Sequence, residues 1–288
     1  MRPKLLIPVL AAASLGSGGC YIGDFNGGMR YHRDFHYSFP IAAGGRVDVE
    51  TFNGGIDITP WDQNTIDISG TKWGPTEEAA DTLRIETDRT GDSVAVRAVR
   101  PSEWRHNLGA RFALKVPHGV VLDRITASNG TIRAEDGAGP ARLHTSNGSI
   151  HVQSFRGRLD AQTSNGAIDL ADVEGDVILH TNNGHIRAER LNGGVDATTS
   201  NGSIDLDLPG RLSKDIRAHT SNGPITLHVQ EPLNARMLAQ TSNSSIRTDF
   251  EVRMGGELSK HRLEGVIGSG GPNIDLSTSN GAIRILKM

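Results

Sequence analysis

The sequence predicts an all-β fold, a single-stranded β-solenoid (β-helix) of two-strand coils of about 18 residues with an N-terminal β cap. Three observations predict it. One short phrase returns at a fixed interval, apolar and polar residues alternate on either side of it, and the composition is rich in Gly (35 of 288 residues) but only 5% aromatic. The phrase is Thr-Ser-Asn-Gly-x-Ile. It stands at 145–150, 163–168 and 199–204, with Asn182 in place of Ser at 181–186, and opens as Ser128-Asn129-Gly130. Its asparagines Asn129, Asn147, Asn165, Asn183 and Asn201 recur every 18 residues, Asn222 and Asn243 follow at 21, and Asn280 at 37. Units that repeat in this way bury their apolar faces only against neighbouring copies.

Parity assigns the strands. Ile150 and Val152 share a face, Ser154 to Gly157 reads as a turn, Leu159, Ala161 and Thr163 share the next face, and Ser164 to Gly166 turns again. Down the copies, Ile132, Ile150, Ile168, Ile186, Ile204, Ile225, Ile246 and Ile283 form one inward column. Leu143, Leu159, Val177, Val195, Ile216 and Met237 approximate a second, and Thr145, Thr163, Thr181, Thr199, Thr220, Thr241 and Thr278 a third. Half-buried strands alternate in this way. A triangular hexapeptide helix fits less well, because steps of six from Ile150 reach Arg156 and Gln162 before Ile168. An antiparallel meander with Asn-Gly hairpin turns would leave one apolar sheet face uncovered.

Within the phrase, Gly is expected to supply a positive φ. The eight asparagines from Asn129 to Asn280 are expected to point inward as a structural ladder, each amide donating to one coil and accepting from the next. Ser244, in place of Gly, predicts a strained or reshaped turn. Outside, the column Arg133, His151, Asp169, Arg187, Asp205 alternates in sign between Asp169 and Asp205, which favours in-register stacking.

The remaining chain divides around these repeats. Residues 1–19 read as a signal peptide, with Arg2 and Lys4 before an apolar run and small residues at 16–19. Cys20 follows, the only Cys of the chain. The segment resembles a bacterial lipoprotein signal, although Ser17 stands where that motif carries Leu and Leu15 lies two positions early. The resemblance implies a lipidated Cys20 and an outer-membrane anchor, facing the periplasm or the surface; ordinary secretion with a spare thiol is the alternative. Residues 20–37 read as a flexible tether, 38–120 as the N-terminal cap of irregular coils, and 121–288 as the solenoid, with an irregular segment at 247–273 holding a protruding hairpin or degenerate coil before a closing one. One short helical turn is expected at Thr76–Asp81.

Composition excludes some functions. The formal net charge is −3, and −5 without Arg2 and Lys4, so nothing favours nucleic acid. No catalytic constellation appears, and no cofactor or metal is expected. His144 and His180 lie two coils apart, about 9.6 Å, too far for one zinc. Gly268-Ser269-Gly270-Gly271 lacks the following helix of a phosphate loop, because Pro272 precedes a strand pattern. Asp169 and Asp205 share a column with Arg187 between them, and the coils are too short to project a substrate groove.

The repeated phrase, Val116-Pro117-His118-Gly119 and Gly265-Val266-Ile267-Gly268-Ser269-Gly270-Gly271-Pro272 are similar to the putative-adhesin, β-strand-repeat family of bacterial envelope proteins, over residues 35–288. The resemblance implies a repeat fold and assigns no catalytic residue. The expectation is therefore a non-catalytic cell-envelope interaction module that meets the membrane through its anchor and a glycan or envelope protein through a flat repeat face. The alternatives are a polysaccharide-active β-helix enzyme and a structural or stress-sensing envelope protein.

Overall fold

A computed structural model describes residues 31–102, 107–254 and 259–288; the leader and Cys20 lie outside the described residues. Two sheets, A with 12 strands and B with 13, close over one continuous apolar core. The N-terminal part comprises β1 (Tyr31–Pro40), β2 (Arg46–Asn53), β3 (Ile56–Trp61), β4 (Thr65–Gly74), α1 (Glu77–Thr82), β5 (Arg84–Thr90), β6 (Ser93–Val99) and β7 (Gly109–Pro117). Thr76 caps α1 by accepting from the Ala79 N–H. The strand β1 begins inside the expected tether, so residues 31–37 are sheet. Alternating Phe35, Tyr37 and Phe39 pack on the core there, with Phe35 edge-on to Phe112 at 5.3 Å between ring centroids.

In the repeats, each coil gives one strand to each sheet. Sheet B takes β8 (Val121–Asn129), β10 (Ala141–Thr145), β12 (Leu159–Thr163), β14 (Val177–Thr181), β16 (Val195–Thr199) and β18 (Ile216–Thr220). Sheet A takes β9 (Ile132–Glu135), β11 (Ile150–Arg156), β13 (Ile168–Glu174), β15 (Ile186–Asn192), β17 (Ile204–Leu208) and β19 (Ile225–Val229). Equivalent residues of successive coils pair in parallel, Ile150 with Ile168 and Leu159 with Val177, which rules out a meander. The register places Ala141, not Leu143, at the head of the Leu159–Val177 column; Leu143 pairs with Ala161.

The expected turn at 154–157 is a bend within β11. Ser154 is left-handed (φ 55), as are Asp172 (φ 56) and Arg190 (φ 53) one and two coils on. One left-handed residue resets the alternation, so Phe155, Val173 and Leu191 enter the core as a column that period-two reasoning misses.

The Gly of the phrase does not supply positive φ. None of Gly130, Gly148, Gly166, Gly184, Gly202, Gly223 or Gly281 is left-handed. Gly is required there because the backbones of successive turns nearly touch. A Cβ on Gly166 would collide with the carbonyl of Gly148, and the same holds at each step of the column. That carbonyl accepts a buried hydroxyl: Thr163 Oγ1 donates to Gly148 O at 2.9 Å, Thr181 to Gly166 at 2.9 Å and Thr199 to Gly184 at 3.0 Å. Thr therefore fills the inside of the turn, and Asn, expected inward, is exposed instead. Its amides still form a file. Asn147 Nδ2 donates to Asn129 Oδ1, Asn165 to Asn147 and Asn183 to Asn165, each at 2.8 Å.

Both ends of the stack interleave chain order. The last segments are β20 (Ala235–Thr241), β21 (Ile246–Thr248), β22 (Val252–Met254), β23 (Arg262–Ile267), β24 (Asn273–Thr278) and β25 (Ile283–Lys287). The final coil, β24 and β25, does not close the solenoid as expected. It sits between the β18/β19 coil and the β20/β21 coil, so the Asn file runs Asn222, Asn280, Asn243. At the other end β2 and β3 lie between the β6/β7 and β8/β9 coils, and Asn53 extends the file from Asn129 to the carbonyl of Leu108. With Ser244 in its turn, β21 is three residues long and Ile246 is only half-buried.

Three substitutions separate these roles. Gly166→Ala should cost about 1–3 kcal/mol, as overpacking against backbone does. Thr163→Val should cost about 1 kcal/mol through the orphaned Gly148 carbonyl. Asn165→Ala should stay within about 0.5 kcal/mol, as exposed sites do. Denaturant titration checks the order, and an Asn165→Ala loss above that of Gly166→Ala would refute it.

Candidate functional site

The sequence-singled residues do not converge. His144 pairs in register with Gln162, Gln162 with His180, and His219 Nδ1 lies 2.6 Å from Ser277 Oγ, so these imidazoles stand in separate coils. Among the described residues no group of three or more His, Cys, Asp or Glu could hold a metal ion. Asp169 lies between two imidazoles, 3.2 Å from His151 Nδ1 and 3.1 Å from His185 Nε2. Arg187 turns away from Asp169 and Asp205 to Glu189 at 2.7 Å, so the expected alternating ladder of charges does not form at that step. The 268–271 stretch is a turn: Gly268 and Gly270 are left-handed, and Asn234 Oδ1 accepts from Ser269 N–H at 2.8 Å.

The main concavity lies elsewhere, on the outer face of sheet B, a groove of about 1390 Å³. Its floor is one row of in-register outward residues, Ile178, Asp196, Arg217, Asp275 and Leu238, from β14, β16, β18, β24 and β20. One wall is the hairpin of β22 and β23, which pairs antiparallel with β20 and raises Arg253, Glu264 and Val266 beside the floor. The other wall is the corner entering sheet B, with Arg158, Asp176, Asp215 and Asn273. The sequence signal for this site is the step of 37 residues from Asn243 to Asn280, against 18 or 21 before it: β22 and β23 within it form the wall, and the inserted coil supplies Asp275 to the floor.

The corner carboxylates are fixed as anions. Asp176 is held below the ordinary carboxylate value of 3.8 by a hydrogen bond from Lys214 Nζ (2.7 Å) and by the Gly194 N–H (2.9 Å). Asp215 is lowered by the Asn273 N–H (2.7 Å) and its side-chain amide. On the sheet A corner, Asp172 is lowered by the fork of Arg190, at 2.6 and 2.7 Å. Across the floor, Arg217 and Asp196 are 3.5 Å apart. The groove thus offers both signs of charge, spaced one strand apart, with short apolar patches at Ile178, Leu238 and Val266. From residue 121 onward the aromatic residues are Phe155 and Phe250, both buried, so the groove lacks a stacking platform for a neutral sugar.

Residues 174–286 match the model of the family described as Toastrack DUF4097. Among solved structures the chain is similar to a putative adhesin of Bacteroides fragilis, at 14% identity over 89% of this chain and 97% of that one, with a TM-score of 0.48. It is also similar to a putative cell adhesion protein of Clostridium sporogenes (10% identity, 89% and 100% covered, TM-score 0.25). A third is a putative adhesin of Parabacteroides distasonis (9%, 89% and 97%, 0.43). No curated protein matches the chain. The family match bears out the repeat-family resemblance carried by the Thr-Ser-Asn-Gly-x-Ile phrase.

The corner carboxylates predict an acid limit. A depressed folded-state value contributes stability that is complete above the ordinary 3.8 and is lost as pH falls through the lower folded value. Asp176→Asn and Asp215→Asn should lower the thermal midpoint at pH 6, and the gap from the parent chain should shrink below pH 3.8. A gap that is constant from pH 6 to pH 2 would show that neither carboxylate titrates with the fold.

Proposed function

We propose that this protein is a non-catalytic interaction module of the bacterial cell envelope that binds an extended polar partner along the outer face of sheet B. The observation that carries the reading is the groove of about 1390 Å³, floored by a regular row of charges and walled by the β22–β23 hairpin. A flat floor with charges one strand spacing apart, about 4.8 Å, suits a partner that repeats or extends along the stack. An envelope-protein segment or a charged glycan meets that requirement better than a neutral sugar, which needs an aromatic face.

For a polysaccharide-active enzyme, the carboxylate pair of choice would be Asp169 and Asp205. Asp169 is engaged by two imidazoles, and Asp205 accepts from Ser203 at 3.2 Å. No observation favours that reading over binding.

Anchoring through a lipidated Cys20 belongs to the same proposal, and it makes the location testable. Protease shaving of intact cells, with wild type beside Cys20→Ala, should release wild-type fragments from the membrane fraction and find Cys20→Ala soluble. Wild-type chain that is membrane-bound yet protected would place the module on the periplasmic side. For the binding role, photo-crosslinking from position 238 in the groove floor should capture an envelope component, and Arg217→Glu should abolish the capture. Turnover of an envelope glycan by the purified mature chain would overturn the non-catalytic reading.

A further inference from the structure

We infer that Arg247 and Arg284, at the C-terminal edge of sheet A, form a binding site for a phosphate group. The two residues pair in register on β21 and β25, so their Cα atoms are about 4.8 Å apart, and both side chains are exposed. Like charges placed directly opposite on a sheet are destabilising. Elsewhere the outer face of sheet A avoids that arrangement. Arg133 meets Asp57 at 3.3 Å, His151 and His185 share Asp169, Arg187 meets Glu189, and His228 meets Asp207 at 2.6 Å. Arg247 and Arg284 alone on this face stand together without a carboxylate partner among the described residues.

The surroundings complete an acceptor-seeking patch. Thr226 follows Arg284 in the same outward row and adds a hydroxyl. Of the carboxylates near this end, Asp249 accepts from the Lys287 N–H at 3.2 Å, Glu231 meets Lys287 Nζ at 2.6 Å, Glu251 lies on the Lys287 side, and Asp205, two strands from Arg284, accepts from Ser203. In each coil the N–H of the column Ile donates to the following coil, as Ile225 does to Ala282 and Ile283 to Ser245. β21 is the last strand of sheet A, so the Ile246 N–H is turned to the open edge. Two guanidinium forks donate bidentate hydrogen bonds to a phosphate group with a geometry that ammonium groups do not match. A phosphate monoester brings nearly two negative charges and three acceptor oxygens, enough for both forks, where a carboxylate satisfies one. The site lies on the sheet opposite the groove and stands whether or not the groove binds.

The test uses the full mature chain with Cys20→Ala, so that no acyl anchor carries it to vesicles. Inorganic phosphate is titrated while the arginine Nε–Hε signals are followed by NMR, and flotation is measured with vesicles of phosphatidylcholine alone and of phosphatidylcholine with phosphatidic acid, whose headgroup is a phosphate monoester. Saturable shifts at Arg247 and Arg284 are expected, with affinity at least roughly tenfold weaker in Arg247→Gln/Arg284→Gln. A charge-matched control, Arg46→Gln/Arg89→Gln at the far end, should bind as the parent does. Thermal midpoints should be unchanged or higher in the Arg247→Gln/Arg284→Gln chain, and the single Arg284→Gln change should give an intermediate affinity. Phosphate binding with flotation only on the vesicles containing phosphatidic acid identifies a lipid headgroup as the source; phosphate binding without flotation identifies a phosphorylated polymer or soluble ester. Absent shifts, an equal loss in the control, or a lower midpoint in the Arg247→Gln/Arg284→Gln chain would overturn the site.

Discussion

The structure depends on one close contact, the stacking of each phrase glycine against the glycine carbonyl of the coil beneath it. No side chain fits between them, which confines the layers from Gly130 over Gly54 to Gly281 over Gly223 to Gly at that point; the outermost layer has Ser244 there. The contact sets the approach of successive turns, and the approach sets the rest. With the carbonyl held that close, a Thr on the adjoining strand reaches it from inside, so seven such threonines from Thr145 to Thr278 are buried with their hydroxyls satisfied. The Asn between them is left on the rim, where its amide meets the one below. Backbone ladders, Thr hydroxyls and Asn amides thus share one spacing, and none can shift without the others.

A stack of this kind has a weak point at each end, where sheet edges would otherwise stand open. This chain meets it by taking its coils out of order. The β2/β3 coil and the β24/β25 coil, nearest the two termini of the described chain, are each one layer inside the end, and antiparallel strands cover what lies beyond: β1 and β4 on β7, β5 on β6, and β23 on β20. Terminal segments that would fray as outer layers are held between two neighbours instead. The contacts they make are also the most distant in sequence, as between Ile56 and Ile132 or Ile216 and Ile274, which places them among the slower pairings to form.

The fold was legible wherever one residue type repeats for one reason. The Ile and Thr columns are inward as alternation requires, and the solenoid follows from them. What alternation could not show is where it resets: a single left-handed residue at Ser154, Asp172 or Arg190 has no fixed identity, so the Phe155, Val173 and Leu191 column is hidden in what reads as a loop. For Asn and Gly a single copy suggests a local role, amide inward and positive φ, whereas the decisive fact is the distance to the next coil, which no single copy reveals. The groove was less legible still. Its wall could be suspected from the lost interval after Asn243, but its floor needs Asp275 beside Arg217, residues 58 apart in sequence that meet only because the last coil is inserted.

That insertion also explains why the outer faces are not uniform. Along the regular coils, charges find partners within their own strand or one layer away, so these layers present a neutralised surface. Where chain order changes, outward residues that did not arise as neighbouring copies are brought side by side. On sheet B this sets Arg217 beside Asp275 and adds a hairpin wall; on sheet A it sets Arg247 beside Arg284, two cations that a regular 18-residue repeat would have spaced against an acid or a hydroxyl. Both proposed binding surfaces therefore lie toward the interleaved C-terminal end, each on its own sheet. The regular coils hold that end at a fixed distance from the N-terminal layers, and the two proposed surfaces gather where the repeat is broken.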